Sequence, residues 1–207
     1  MVATFLINVG HNDHYCNVRQ RFNHSHFATS TNFNKVLKAL NTIAPYMMVK
    51  PGGVSPKIFG STRFYPYFKD CVGAIDGTHI SAMVRGREVS NYHNYGINFQ
   101  NVLTACYFDL EFIYVLNGWK GSAHDSKLLN DVLSRRNGLE VPPGKYYLVD
   151  CEFPNRRQFL SPKRSVRYHL IDFNGEGRHP RNTDELFNLR HSSLRIMIER
   201  IFGVFKS

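Results

Sequence analysis

Apolar and polar positions alternate along this chain in ways that predict its elements one by one. From Cys71 to Ile80 the sequence reads Cys-Val-Gly-Ala-Ile-Asp-Gly-Thr-His-Ile, and the apolar run resumes at Ala82 and Val84. This is a buried strand with one acid, Asp76, at a kink before Gly77. A second strand is expected over Asn98 to Phe108, with Val102-Leu103-Thr104-Ala105-Cys106 as its core. Asp109-Leu110-Glu111 makes a tight turn into a third strand, Phe112 to Leu116. A helix from about Ser126 follows, with Leu128, Leu129, Val132 and Leu133 at helical spacing, and then a strand Tyr146 to Val149 that ends on Asp150. A meander followed by strand–helix alternation indicates a mixed sheet with helices on its faces.

Helical spacing dominates both ends. Val2, Phe5, Leu6 and Val9 form one stripe. Thr29 or Ser30 is placed to cap a second helix bearing Phe33, Val36, Leu37, Leu40 and Ile43. Short helices joined by polar turns fit either a helix-turn-helix or a helical brace. Pro45 to Pro66, with Pro51-Gly52-Gly53 and Ser55-Pro56, reads as a connector. The last helix starts near Asn182, with Glu185 three residues on as in a capping box. Its apolar face is Leu186, Leu189, Met197, Ile201 and Val204; Asn188, Ser192, Arg195 and Glu199 lie on another. The expected organisation is a helical, helix-turn-helix-like segment over 1–45, a linker over 46–66 and an α/β domain over 67–207.

Composition adds a partner. The net charge of +10 suits a polyanion, nucleic acid before membrane, because no lipid-facing helix accompanies it. Arg156, Arg157, Lys163, Arg164, Arg167, Arg178 and Arg181 cluster after Pro154, interleaved with Tyr168, His169 and Phe173. These are the candidate phosphate contacts, and a solvated loop is the alternative. The four cysteines form no Cys-x-x-Cys pair and read as reduced thiols, and the histidine pairs lack a matching ligand set for zinc. The apolar start lacks the basic region and cleavage site of a signal peptide, and no stretch is long enough to span a bilayer.

The chemistry lies in acids. A carboxylate within an apolar strand is costly unless it is paired or bound to a cation. Asp76 and Asp150 end up on strands and Glu199 on a helix, a layout that lets carboxylates converge on divalent cations. A turn aspartate at Asp76 and a surface Arg195–Glu199 pair are the plainer alternatives.

Four separate stretches carry a resemblance. Phe68-Lys69-Asp70-Cys71-Val72-Gly73-Ala74-Ile75-Asp76-Gly77-Thr78-His79-Ile80 is the first. Gly118-Trp119-Lys120-Gly121-Ser122-Ala123-His124-Asp125-Ser126 is the second. The third is Tyr146 to Asp150 with Pro154-Asn155, and the fourth runs from Leu186 through Arg195 to Ile198-Glu199-Arg200-Ile201-Phe202-Gly203. In order and spacing, over about residues 65 to 207, they resemble the DDE endonuclease domain of PIF/Harbinger transposases and the HARBI-type, plant-like proteins derived from them.

The resemblance implies an RNase H-like α/β fold and Asp76, Asp150 and Glu199 as catalytic metal ligands. Asp125 would be a fourth ligand, where a helix cap is the alternative. It further implies Mg²⁺ or Mn²⁺, DNA as substrate, a Myb/SANT-like partner protein and a nuclear location. It supports a helix-turn-helix at the N-terminus, expected to begin partway through. A catalytically inactive, domesticated protein that binds DNA or a partner is the alternative function. Two departures bear on that choice. Asp150-Cys151-Glu152-Phe153 stands where the family has Asp-Ala-Gly-Tyr or Asp-Ser-Gly-Tyr, so strain is expected at Glu152 if the glycine serves a positive φ. His93-Asn94-Tyr95-Gly96 stands where the family has Asn-Arg-Lys-Gly, which removes two basic residues.

Overall fold

The computed structural model describes residues 1–11, 14–48, 55–81, 93–94, 97–120, 125–175 and 177–206. The breakers Pro51-Gly52-Gly53, the run at Ala82 and Val84, Tyr95-Gly96 and Gly121 to His124 lie outside the described residues. The chain divides into two compact units, Met1–Met48 and Val49–Ser207.

The first unit holds α1 (Val2–Gly10), α2 (Tyr15–Phe22) and α3 (His26–Met47). Phe33 of α3 gathers them, with its ring 4.9 Å from Phe5 and 5.6 Å from Tyr15. Asn23 ends α2 in the left-handed region, and Ser25 accepts from the Ala28 amide to start α3. The cap is therefore Ser25, not Thr29 or Ser30. Thr29 instead lies inside the helix, where its hydroxyl donates to the Ser25 carbonyl. Phe33 and Val36 are half-buried and Leu37, Leu40 and Ile43 are exposed, so the expected stripe is covered only toward its N-terminal end.

The second unit is built on one sheet. After the short α4 (Pro56–Phe59) come β1 (Cys71–Ser81), β2 (His93–Asn94), β3 (Ile97–Cys106) and β4 (Phe112–Lys120). Helix α5 (Asp125–Ser134), β5 (Tyr146–Leu148), β6 (Phe159–Leu160) and α6 (Thr183–Lys206) complete it. Strand β3 pairs antiparallel with β1 on one side and with β4 and β2 on the other; β1, β5 and β6 are parallel. The result is the mixed sheet, flanked by helices, of an RNase H-like fold.

The near-continuous apolar strands follow from burial on both faces. Ile75, Leu103, Ala105, Tyr147 and Val149 face α5, packing on Leu128, Leu129 and Val132. Ala74, Cys106 and Leu148 face α6, packing on Leu194, Met197, Ile198 and Ile201. Trp119 donates to Asp131 at 2.9 Å and so ties β4 to α5, and Arg135, just past the helix, donates to the same carboxylate at 2.7 Å.

Two glycines answer to geometry. Gly118 has φ +95° at the point where β3 and β4 slip register, a bulge no L side chain tolerates easily. Gly73 sits at a second bulge, in β1, where an added Cβ would run into the Cys106 carbonyl. Gly73→Ala is therefore expected to cost about 2 kcal/mol or more in a urea titration, because backbone rather than a flexible side chain must move.

Candidate active site

Register places the strand acids. Ala74 of β1 pairs with Leu148 of the parallel β5. Asp76 and Asp150 each follow their partner by two residues, one full side-chain period of a strand. Both therefore emerge side by side from the sheet face that α6 covers. Asp76 is not at a hairpin: β1 runs straight through Gly77, whose amide donates to Asp76 Oδ1 at 3.0 Å. Asp150 Oδ1 accepts from the Cys151 amide at 2.6 Å.

Helix α6 supplies the rest, through a face the hydrophobic pattern did not indicate. Asn188, His191, Ser192 and Arg195 are buried beside Leu194, Ile198 and Ile201, whereas Leu186 and Val204 are exposed. Asn188, Ser192 and Arg195, spaced four and three residues, form a polar stripe that faces inward. Arg195 is the centre of the site. Its Nη1 donates to Asp76 Oδ2 at 2.9 Å, and its Nη2 lies 3.2 Å from Asp150 Oδ2 and 3.3 Å from Glu199 Oε1. Its Nε donates to the Tyr168 hydroxyl at 2.7 Å. The three acids thus meet around one guanidinium, with side-chain exposures of 18% for Asp76, 28% for Asp150, 58% for Glu199 and 6% for Arg195.

Burial pushes the Asp76 carboxyl above its ordinary value, and the Arg195 charge and hydrogen bond pull against that shift. Burial disfavours the Arg195 charge as well, but Asp76, Tyr168 and Asp150 outweigh it and hold the guanidinium more firmly protonated than usual. Arg195 and Tyr168 are the site residues that sequence reasoning did not assign. The inward polar period on α6 is the signal that carries Arg195; Tyr168 has no such signal, because it reaches the site from a loop.

Asp125 is the first residue of α5, and its side chain lies outside what the structure describes. His79 is an exposed position of β1. Glu152 is exposed and does not adopt a positive φ, so the expected strain is absent. Glu152→Gly is accordingly expected to change stability by less than about 0.5 kcal/mol, measured by thermal unfolding.

The basic segment does not form one surface. Gly144 and Lys145 precede β5, and Arg157 and Gln158 precede β6. With Arg156 they line a groove of about 610 Å³ at the end of these strands opposite Asp150. Lys145 pairs with Asp70 at 3.0 Å, and Arg156 donates to Asn130 at 3.1 Å. On the Asp150 side, Arg164 donates to the Cys151 carbonyl at 3.2 Å. Lys163, Arg178 and Arg181 are exposed.

Arg167 is a structural hub. It donates to both Glu185 carboxylate oxygens, at 3.0 and 2.6 Å, and to the carbonyls of Asp172 and His179. It is therefore not an open phosphate contact. The Asn182 side chain caps α6 as expected, accepting from the Glu185 amide at 2.8 Å. The Glu185 carboxylate, however, reaches the Arg181 amide rather than closing the box on Asn182.

Arg167 and the Arg181 amide hold the Glu185 carboxyl down at about 2, below the ordinary 4.5. A depressed acid stabilises the fold above its unfolded pKa and loses that contribution as pH falls through the folded value. Unfolding midpoints should thus drop between about pH 5 and 2. Arg167→Met should flatten that segment of the curve, which thermal melts across the range would check.

The sequence model of the DDE superfamily endonuclease family matches residues 75–207, which include Asp76, Asp150, Arg195 and Glu199. The chain belongs to that family, a class of transposase-derived nucleases. No curated protein and no solved structure matches it.

In donor chemistry the site fits a hard divalent cation: three carboxylates on three elements face one positive point, and oxygen is the ligand Mg²⁺ and Mn²⁺ prefer. As they stand, no three His, Cys, Asp or Glu side chains among the described residues are gathered closely enough to hold a metal ion. The carboxylates converge on the guanidinium instead.

Proposed function

We propose that this protein is a divalent-metal-dependent DNA endonuclease of the PIF/Harbinger type, acting in the nucleus. The observation that carries the reading is the convergence of Asp76 on β1, Asp150 just after β5 and Glu199 on α6 around Arg195. The two acids from the sheet, Asp76 and Asp150, reach the same guanidinium from separate segments, and Glu199 joins them from the helix that carries Arg195, so three carboxylates surround one buried positive charge.

Asp76, Asp150 and Glu199 would hold Mg²⁺ or Mn²⁺, with Asp125 at the start of α5 as a further candidate. When bound, the metal supplies activation of a water and stabilisation of the leaving oxygen in phosphodiester cleavage. The protein's own share is positioning. The sheet fixes Asp76 and Asp150 side by side, the Gly77 and Cys151 amides orient one oxygen of each, and α6 brings Glu199 across. Lys163, Arg178 and Arg181 are exposed cations available for phosphate, and contact of this kind gives affinity without base information. A Myb/SANT-like partner that supplies sequence recognition belongs to the same proposal.

Incubation of the purified protein with supercoiled plasmid tests the reading. Open-circular product is expected with Mg²⁺ or Mn²⁺ and none with EDTA. Intact plasmid at every salt and metal concentration would overturn it and leave a DNA- or protein-binding role for the fold.

A further inference from the structure

Four observations bear on what Arg195 does at the centre of the acids. First, it is the most buried charged group of the site, at 6% side-chain exposure, and every nitrogen of its guanidinium has a partner. Second, those partners lie on separate elements: Asp76 on β1, Asp150 after β5, Glu199 on α6 and Tyr168 on the preceding loop. A planar fork presents its donors in fixed directions to several acceptors, whereas an ammonium is a point charge with three rotatable donors. Third, the carboxylates that reach it are not gathered closely enough to hold a metal as they stand, among the described residues. Fourth, three carboxylates and one guanidinium leave a net charge of −2, which one divalent ion neutralises.

We infer that Arg195 is an internal counter-ion that occupies the cation position in the metal-free protein, holds the three acids in register, and competes with the divalent ion for them. The inference rests on the endonuclease reading above and deepens it. Without a cation, Asp76 and Asp150 would be like charges held side by side at a half-buried sheet face, at a large electrostatic cost. Arg195 removes that cost and keeps the site assembled. The same contacts oppose the metal, which must draw at least some of the acids off the guanidinium.

Tyr168 makes competition workable. It holds Nε, the guanidinium nitrogen that no acid engages, and Ser192 fixes Tyr168 in turn by donating to its carbonyl at 2.9 Å. Arg195 therefore keeps an anchor when the carboxylates turn to the metal. It acts as a positioning residue that sets the concentration at which the metal loads.

Mn²⁺ binding followed by calorimetry, together with unfolding midpoints with and without Mn²⁺, tests this in the wild type, Arg195→Met and Arg195→Lys. Arg195→Met should melt below the wild type without metal, gain more from Mn²⁺, and bind Mn²⁺ at least about tenfold more tightly, since a cation–cation repulsion is gone. Arg195→Lys should tighten binding by a smaller factor, and it carries the test if the methionine variant does not fold without metal. Wild-type binding with unchanged or weaker affinity in the variants would overturn the inference and leave the endonuclease reading standing. Absence of Mn²⁺ binding in all three would overturn both.

Discussion

Asp76→Asn is expected to abolish metal-dependent nicking of supercoiled DNA while leaving the protein folded. The two halves of that expectation have separate causes. Asparagine keeps an oxygen where Asp76 Oδ1 accepts from the Gly77 amide, although its amide nitrogen then faces the Arg195 Nη1 donor and the bond to Oδ2 is lost. It also removes a carboxylate that burial already penalises, and Arg195 retains Asp150 and Glu199 as counter-charges. Stability should therefore fall by about 1–3 kcal/mol, which leaves a domain of ordinary stability folded. Catalysis should fall by at least about 10²-fold, because a preorganised charge at the reacting centre is lost. Initial nicking rates alongside thermal unfolding midpoints check both halves. A rate within about threefold of the wild type would remove Asp76 from the catalytic centre, whatever the fold does.

The second large effect is expected at a residue that touches no acid of the site. Asn188 is fully buried on α6. Its Oδ1 accepts from the Lys163 amide at 2.8 Å, and its Nδ2 donates to the carbonyls of Lys163 and Arg167, each at 3.0 Å. One side chain thus clamps the loop that delivers Tyr168 to Arg195. Asn188→Ala strands three backbone groups, and a loss of about 3 kcal/mol is expected in urea denaturation. Activity should fall as well at temperatures where the variant is still folded, because the Tyr168 loop is no longer pinned. A loss below about 1 kcal/mol would mean that other contacts hold that loop.

These two residues also mark what was legible in the sequence. Asp76 was, because an acid inside an apolar strand stands out against its neighbours, and the parallel register then fixes Asp150 beside it. The strands β1, β3, β4 and β5 could be read because burial on both faces makes their apolar runs nearly continuous. The two-residue strands β2 and β6 carry too few positions for any period to show.

Asn188, Ser192 and Arg195 were legible as a stripe but not as a buried one. A hydrophobic pattern assumes that the apolar face turns inward, and α6 breaks that assumption where its polar face is satisfied by the loop and the acids. The basic run after Pro154 misled in the opposite direction. Its charge is plain in the sequence, but the partners that consume Arg167 and divide Arg156 and Arg157 from Arg164 are long-range contacts that no local pattern records. Glu152 carries a charge where the resembled family has glycine, yet its backbone is ordinary, so the substitution signals altered surroundings of Asp150 without strain.

The central claim is that three carboxylates, not two with a helix-surface neighbour, form one metal-dependent cutting site. Glu199 is the acid on which that claim turns, because it is the most exposed of the three and pairs with Arg195 four residues earlier on the same helix, as an ordinary surface pair would. The most direct measurement is the rate of plasmid nicking in Mn²⁺ by the wild type beside Glu199→Gln. A centre built from all three acids predicts that the variant loses nicking as completely as Asp76→Asn does. Wild-type nicking by Glu199→Gln would contradict it and reduce Glu199 to a partner of Arg195.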